Sequence, residues 1–143
     1  MTVGLVVVSH SARAAEGIVE IAAEMAGETR IEAVGGDGRG GIGTVPDDIE
    51  DALVAAGDVG RSGNGGDSGA DDDPSDGVVV LVDLGSAVMN AEVAIELSDV
   101  DAVIADAPVL EGAVNAAVAA TDPSATLESV REQAEAASEI SKV

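Results

Sequence analysis

His10 is the single histidine of the chain, and it stands in Val8-Ser9-His10-Ser11 at the end of a short apolar run. An imidazole can take up and release a proton or an electrophile near neutral pH. Asp83 closes another apolar run, in Val82-Asp83-Leu84-Gly85-Ser86-Ala87. A carboxylate accepting Nδ1–H would fix the imidazole tautomer and leave Nε2 free as a nucleophile. Gly85 would permit a tight strand-to-helix turn, and Ser86 would cap the following helix and offer its N–H to an anion. Arg13, one turn past His10, is the best-placed cation for a phosphate or a partner. Each group has a plainer reading too: the histidine as a turn cap, the serine as helix capping alone, the arginine as a solvated helix residue.

Other chemistries find few residues. The 143-residue chain has no Cys, Phe, Tyr or Trp, which removes disulfides, thiol nucleophiles, cysteine zinc sites and base-stacking platforms. One histidine builds no histidine-rich zinc site. Ser9 and Ser11 flank His10 and are poorly placed for it to activate as hydrolase nucleophiles. Two frames, from Gly36 and from Gly38, fit GxGxxG, but both lie in a glycine-saturated stretch where chance matches are expected. A receiver domain phosphorylated on Asp83 would need an acidic pair after the first strand, where Ser9-His10 stands, and a lysine near the last one. Lys142, the only lysine, stands at the extreme terminus. No metal site and no cofactor is expected.

Asp and Glu number 28 against 6 Lys and Arg, a net charge of −22, and the pI is near 4.1. Phosphates repel such a surface, so neither nucleic acid nor an anionic membrane is expected as a partner. Hydrophobic content of 46% excludes a disordered acidic chain. A small-residue core inside a lysine-poor acidic surface fits adaptation to high salt, where repulsion is screened over about 3 Å at 1 M. An acidic face that docks a basic partner is the rival reading. No basic leader opens the chain and no apolar run approaches the ~20 residues of a spanning helix, so a cytoplasmic protein is expected.

The elements that must position these residues alternate. Val3–Val8, Ile31–Val34 and Val78–Val82 read as strands buried in a parallel sheet, with a weaker fourth at Asp101–Ala105. A helix from Ser11 places Ala14, Ile18, Ile21, Ala22 and Met25 on one stripe. Thr44 caps a second helix with Pro46 in its first turn and Ile49, Ala52, Leu53 and Ala56 inward. Val88, Ala91, Ala94 and Ile95 face inward from a third, and helical patterns follow over Leu110–Ala120 and Ser124–Ile140. The fold class is therefore α/β: a mostly parallel central sheet of about four strands with helices on both faces. Residues 57–77 hold seven glycines and six aspartates and read as a flexible solvated loop. A calcium site on Asp71, Asp72, Asp73 and Asp76 is the sharper alternative, but EF-hand spacing is missing.

Val7-Val8-Ser9-His10-Ser11, Gly43-Thr44, Asp83-Leu84-Gly85-Ser86-Ala87 and Ala107-Pro108-Val109-Leu110-Glu111-Gly112 occur in an order and spacing that resembles the mannose-family enzyme IIA domains of the sugar phosphotransferase system. Among these, the chain resembles the phosphotransfer subunits of dihydroxyacetone kinases. The resemblance covers the whole chain apart from the acidic insertion, and so implies a single enzyme IIA domain over 1–143. It implies that His10 accepts a phosphoryl group from the phosphocarrier HPr and passes it to ADP on the nucleotide-binding kinase subunit (DhaL). That step would serve dihydroxyacetone held by the substrate-binding subunit (DhaK). Asp83 would orient the ring, and the loops carrying Gly43, Thr44 and Ser86, with Ser11 and Gly85 beside them, would surround the phosphoryl group. It also implies a homodimer. A mannose-type sugar IIA component and a regulatory module sensing phosphorylation state are the alternatives.

Overall fold

Central strands rich in Val, with both faces buried, need helices on both sides, and the architecture follows from that need. The structure, a computed structural model, describes residues 2–57 and 76–143. Four strands, β1 (Val3–Ser9), β2 (Ile31–Gly35), β3 (Gly77–Val82) and β4 (Ala102–Ile104), form one sheet in the order β2-β1-β3-β4. All pairings are parallel. Around it lie α1 (Ala12–Ala23), α2 (Pro46–Gly57), α3 (Gly85–Leu97), α4 (Val109–Ala120) and α5 (Leu127–Glu135), with a 3-10 turn at Ala136–Glu139.

The period-two alternation of the central strands sorts the core into two layers. Val3, Leu5, Val7, Val79 and Leu81 meet α1, α4 and α5, mostly through Ala15, Ala22, Ala113, Ala116, Ala117, Val130 and Ala134. Val6, Val8, Val78 and Val80 meet α2 and α3 through Ile49, Leu53, Ala56, Ala87, Ala91 and Ala94. Burying each Val or Leu is worth about 1.5–3 kcal/mol, and the alanine faces let the helices lie close to the sheet.

Several expectations need correcting. In α1 the buried residues are Ala15 and Ala22, with Ile18 and Val19 half-buried, whereas Ile21 and Met25 are about half exposed and Ala14 faces solvent. Two apolar stripes overlap on this helix, and the one with the small residues fits against the sheet. β4 is shorter than its apolar pattern, and the last helical pattern starts at Leu127 after a Thr126 capping box. The acidic loop assigned to 57–77 lies outside the described residues except at its ends. There Gly57 closes α2, Gly77 opens β3, and the Asp76 N–H donates to the Thr2 carbonyl.

Candidate functional site

The strand order turns at β1: the chain runs from β1 to β2 on one side, then returns to β3 on the other. Ligands of open parallel sheets bind beyond the carboxyl ends of strands at such a switch point. The register pairs Val8 with Val82, so the residues just past both strands, Ser9-His10 and Asp83, emerge side by side. The Asp83 N–H donates to the Val8 carbonyl and extends that pairing by one residue.

Asp83 meets three donors. Its Oδ2 accepts the Ser9 hydroxyl and the His10 backbone N–H, each at 2.9 Å, and its Oδ1 lies 3.0 Å from His10 Nδ1. Partial burial pushes the Asp83 carboxyl up. The His10 N–H, the His10 ring and the Ser9 hydroxyl together outweigh this and hold the carboxyl below the usual aspartate range. An ionised carboxylate only accepts, so Nδ1 carries the ring proton and Nε2 carries the lone pair. On the other side, Ser86 Oγ lies 2.7 Å from Nε2, where its hydroxyl donates to that lone pair. The imidazole is thus clamped between a carboxylate just past β3 and a hydroxyl in the first turn of α3.

The remaining predicted residues have mixed positions. Gly43 adopts φ +152° and donates its N–H to the His10 carbonyl at 2.8 Å. Ser11 caps α1, its hydroxyl accepting the Ala14 N–H, while its own N–H donates to Ser9 Oγ. Its hydroxyl is thus engaged at the helix rather than at the ring. Thr44 does not cap α2 by its side chain: its hydroxyl oxygen accepts from Asn90 Nδ2 at 2.6 Å. Ser86 likewise lies inside α3, whose N-cap is Leu84 with no side-chain bond, so its hydroxyl is free for the ring. Gly85 has no left-handed backbone, and a Cβ there would meet nothing within 4 Å. The turn does not require glycine, and the space a side chain would take there is open. Arg13 lies exposed in the first turn of α1.

Three residues escaped the sequence reading. Ser9, 2% exposed, is the buried polar residue of the described chain, and it ties Asp83 Oδ2 to the Ser11 N–H. Asn90 stitches α3 to the segment entering α2. Its signal was available, because it sits four residues after Ser86 on the same face of one helix. Asp37 folds the glycine-rich loop 36–43 by accepting the Arg39 and Gly41 N–H groups, both at 2.8 Å. Those backbone donors hold its carboxyl below its usual range. Gly35 lets that loop leave β2 against the site, since a Cβ there would stand 2.3 Å from the Ser9 carbonyl oxygen and 3.0 Å from that of Ser11. Among the described residues no cluster of three acidic or histidine side chains is arranged to hold a metal ion, and no helix is long and apolar enough to cross a membrane.

Comparisons with known proteins agree with this architecture. The chain matches the EIIA-man family model, described as the PTS system fructose IIA component, over residues 4–61 and 67–131. It is 33% identical over 135 residues to the phosphotransferase subunit DhaM of the PTS-dependent dihydroxyacetone kinase of Lactococcus lactis, covering 94% of this chain and 95% of that one. Among solved structures it is similar to EF1359, a protein of unknown function, with 28% identity, a TM-score of 0.71 and 94% of each chain covered. The mannose/sorbose-specific IIA subunit of the phosphotransferase system from Enterococcus faecalis shares the fold, with 18% identity, a TM-score of 0.52, and 100% and 96% of the two chains covered.

Proposed function

This chain belongs to the EIIA-man family of phosphotransferase-system IIA components, and from that premise we propose that it carries a phosphoryl group on Nε2 of His10. The carrying observation is the ring held by Asp83 at Nδ1 and, among the described residues, bonded at Nε2 by a hydroxyl alone. The likeness to a dihydroxyacetone kinase phosphotransferase subunit supports a role in that system. The proposed donor is the phosphohistidine of HPr, the proposed acceptor is ADP on the nucleotide-binding subunit, and the compartment is the cytoplasm.

Phosphoryl transfer requires in-line positioning and stabilisation of the moving charge more than covalent assistance. The Nε2 lone pair attacks phosphorus as the donor's P–N bond breaks, and that bond's electron pair returns to the donor ring. His10 keeps its Nδ1 proton throughout, so the phosphorylated ring is positively charged and faces the Asp83 carboxylate. The Ser86 hydroxyl turns from Nε2 to a phosphoryl oxygen, and Gly85 leaves room for the incoming group. The homodimer implied by the family resemblance belongs to this proposal, with the exposed α3 stripe of Met89, Val93 and Leu97 as the apolar face for a second copy.

The test is reconstitution with labelled phosphoenolpyruvate, enzyme I, HPr and the two kinase subunits. The native chain should acquire one acid-labile, alkali-stable phosphate and support dihydroxyacetone phosphorylation, and His10→Ala should do neither. Labelling that persists in His10→Ala would refute the site; a labelled native chain that discharges only to a mannose-type acceptor would refute the pathway.

A further inference from the structure

In a chain of net charge −22, each of the few cations has carboxylates in excess to choose from. Most of the described cations have chosen one. Arg30 pairs with Glu32 at 3.7 Å, Arg131 with Glu128 and Glu135, and Lys142 with Glu111. Among the described residues only Arg13 and Arg39 form no ion pair, and both belong to segments that border His10. Arg13 is in the first turn of α1, three residues past the histidine. Arg39 is at the tip of the 36–43 loop, whose Gly43 N–H is bonded to the His10 carbonyl.

Neither position is explained by local stability. The first turn of a helix favours acidic side chains, and a cation there opposes the helix dipole. In α1 that turn has no acid and does have Arg13. Beside Arg39 a carboxylate is at hand, yet Asp37 bonds the Arg39 and Gly41 backbone N–H groups through Oδ1 and forms no ion pair with the guanidinium. The Arg39 backbone is thereby fixed while its guanidinium is left without a partner.

We propose that Arg13 and Arg39 form a two-armed cationic rim that receives the terminal phosphates of a nucleoside diphosphate as phospho-His10 discharges to it. The inference rests on the function proposed above and adds how this chain admits its acceptor. A diphosphate approaching a phosphorylated ring on so acidic a protein meets repulsion from every direction, and guanidinium forks offer the paired N–H donors that phosphates bind best. Two unpaired cations on the two segments that border the reactive ring fit a compact, multiply charged anion. An acidic protein surface would need cations spread over about 800 Å². In the step itself the Nε2–P bond breaks and a P–O bond forms to the terminal phosphate. The electron pair returns to Nε2, and the proton stays on Nδ1, still donated to Asp83, so no further proton is required.

The experiment separates loading from discharge. The native chain, the double variant Arg13→Gln/Arg39→Gln and the double variant Arg13→Lys/Arg39→Lys are each phosphorylated from HPr. They are then mixed with the nucleotide-binding kinase subunit loaded with Mg-ADP, and single-turnover rates are read against subunit concentration. Discharge of the glutamine variant should fall at least tenfold while loading stays within threefold of native, and the lysine variant should recover part of the loss. Unchanged discharge would overturn the inference, as would an equal fall in both half-reactions, which would mark a general docking or structural role. A native chain that loads but does not discharge to ADP would remove the acceptor reading and this inference together. Native discharge with insensitive variants would remove this inference alone.

Discussion

Replacing Asp83 by Asn changes one atom and conflicts with three donors. The native carboxylate gives Oδ2 to the Ser9 hydroxyl and the His10 N–H, and Oδ1 to Nδ1–H. An amide has only one oxygen. If that oxygen takes the Oδ1 position, its NH₂ faces a fixed backbone N–H, and the unmet donors cost about 1–3 kcal/mol. If it takes the Oδ2 position, its NH₂ faces Nδ1, which must then accept, and the proton moves to Nε2 where the nucleophilic lone pair should be. The second arrangement satisfies the backbone, so the tautomer flips. Restoring the reactive tautomer costs the same 1–3 kcal/mol, roughly 5- to 150-fold in rate. Loss of the charge that would face the ring in the proposed phosphorylated state removes about another 1–1.5 kcal/mol, roughly tenfold, the difference between a charge-assisted and a neutral hydrogen bond.

Asp83→Asn should therefore slow loading from HPr by roughly 10²–10³-fold with the far-UV spectrum unchanged. Quench-flow measures the rate, and ¹⁵N correlation spectra of the ring report which nitrogen holds the proton. A rate within threefold of native would refute the reasoning, and so would a slow variant whose ring still holds its proton on Nδ1. The same change has an acid signature. The folded-state carboxyl lies below its ordinary value, so its stabilising contribution is complete above about pH 3.9 and is lost as pH falls through that lower value. Urea midpoints of Asp83→Asn should fall less steeply than native below pH 4, and parallel slopes there would count against the pairing.

Gly35→Ala puts a methyl 2.3 Å from the Ser9 carbonyl, so the backbone of either β2 or the site must move. A loss of about 1–3 kcal/mol is expected in urea unfolding, and unaltered stability would contradict the close approach. Ser9→Ala removes a donor from Asp83 and an acceptor from the Ser11 N–H; transfer should slow about tenfold, and Ser9→Thr, which keeps the hydroxyl, should restore it. Equal losses in both variants would point to packing instead. With 28 acidic side chains against 6 basic ones, the melting temperature should rise between 0.1 and 2 M KCl, and indifference to salt would refute the proposed adaptation to high salt.

What the sequence made legible was set by backbone periodicity and by strand ends. Unbroken Val and Leu runs in β1 and β3 declare burial on both faces, and such strands place the residues that follow them on a common rim. His10 and Asp83 meet for that reason. Side-chain direction within a helical turn was less legible. A serine near the start of a helix can cap it or turn outward, and Ser86 turns outward because Leu84 already ends the extended segment. The apolar stripe of α1 was ambiguous because Ala15 and Ala22 are offset from Ile21 and Met25, and only the close fit to the sheet selects the alanines. Thr44 was misjudged for want of its partner: Asn90 is remote in sequence, and no local pattern announces a bond across 46 residues.

The division of labour around the ring follows from which bonds must break. Asp83 holds His10 by its main chain and by its side chain at once, so the imidazole is referenced to the strand end rather than to a loop. Ser9 and the Val8 carbonyl hold the aspartate's side chain and backbone in turn. In the proposed transfer none of these bonds has to open for phosphorus to arrive or leave. Among the described residues the single hydrogen bond in the way is Ser86 Oγ on Nε2, a neutral hydroxyl on a rotatable side chain worth about 0.5–1.5 kcal/mol net. A ring fixed at the back by a charged network and stoppered in front by one weak bond is suited to a group that must be gained and lost repeatedly. A second carboxylate or a backbone amide in the place of Ser86 would make one of those two directions slow.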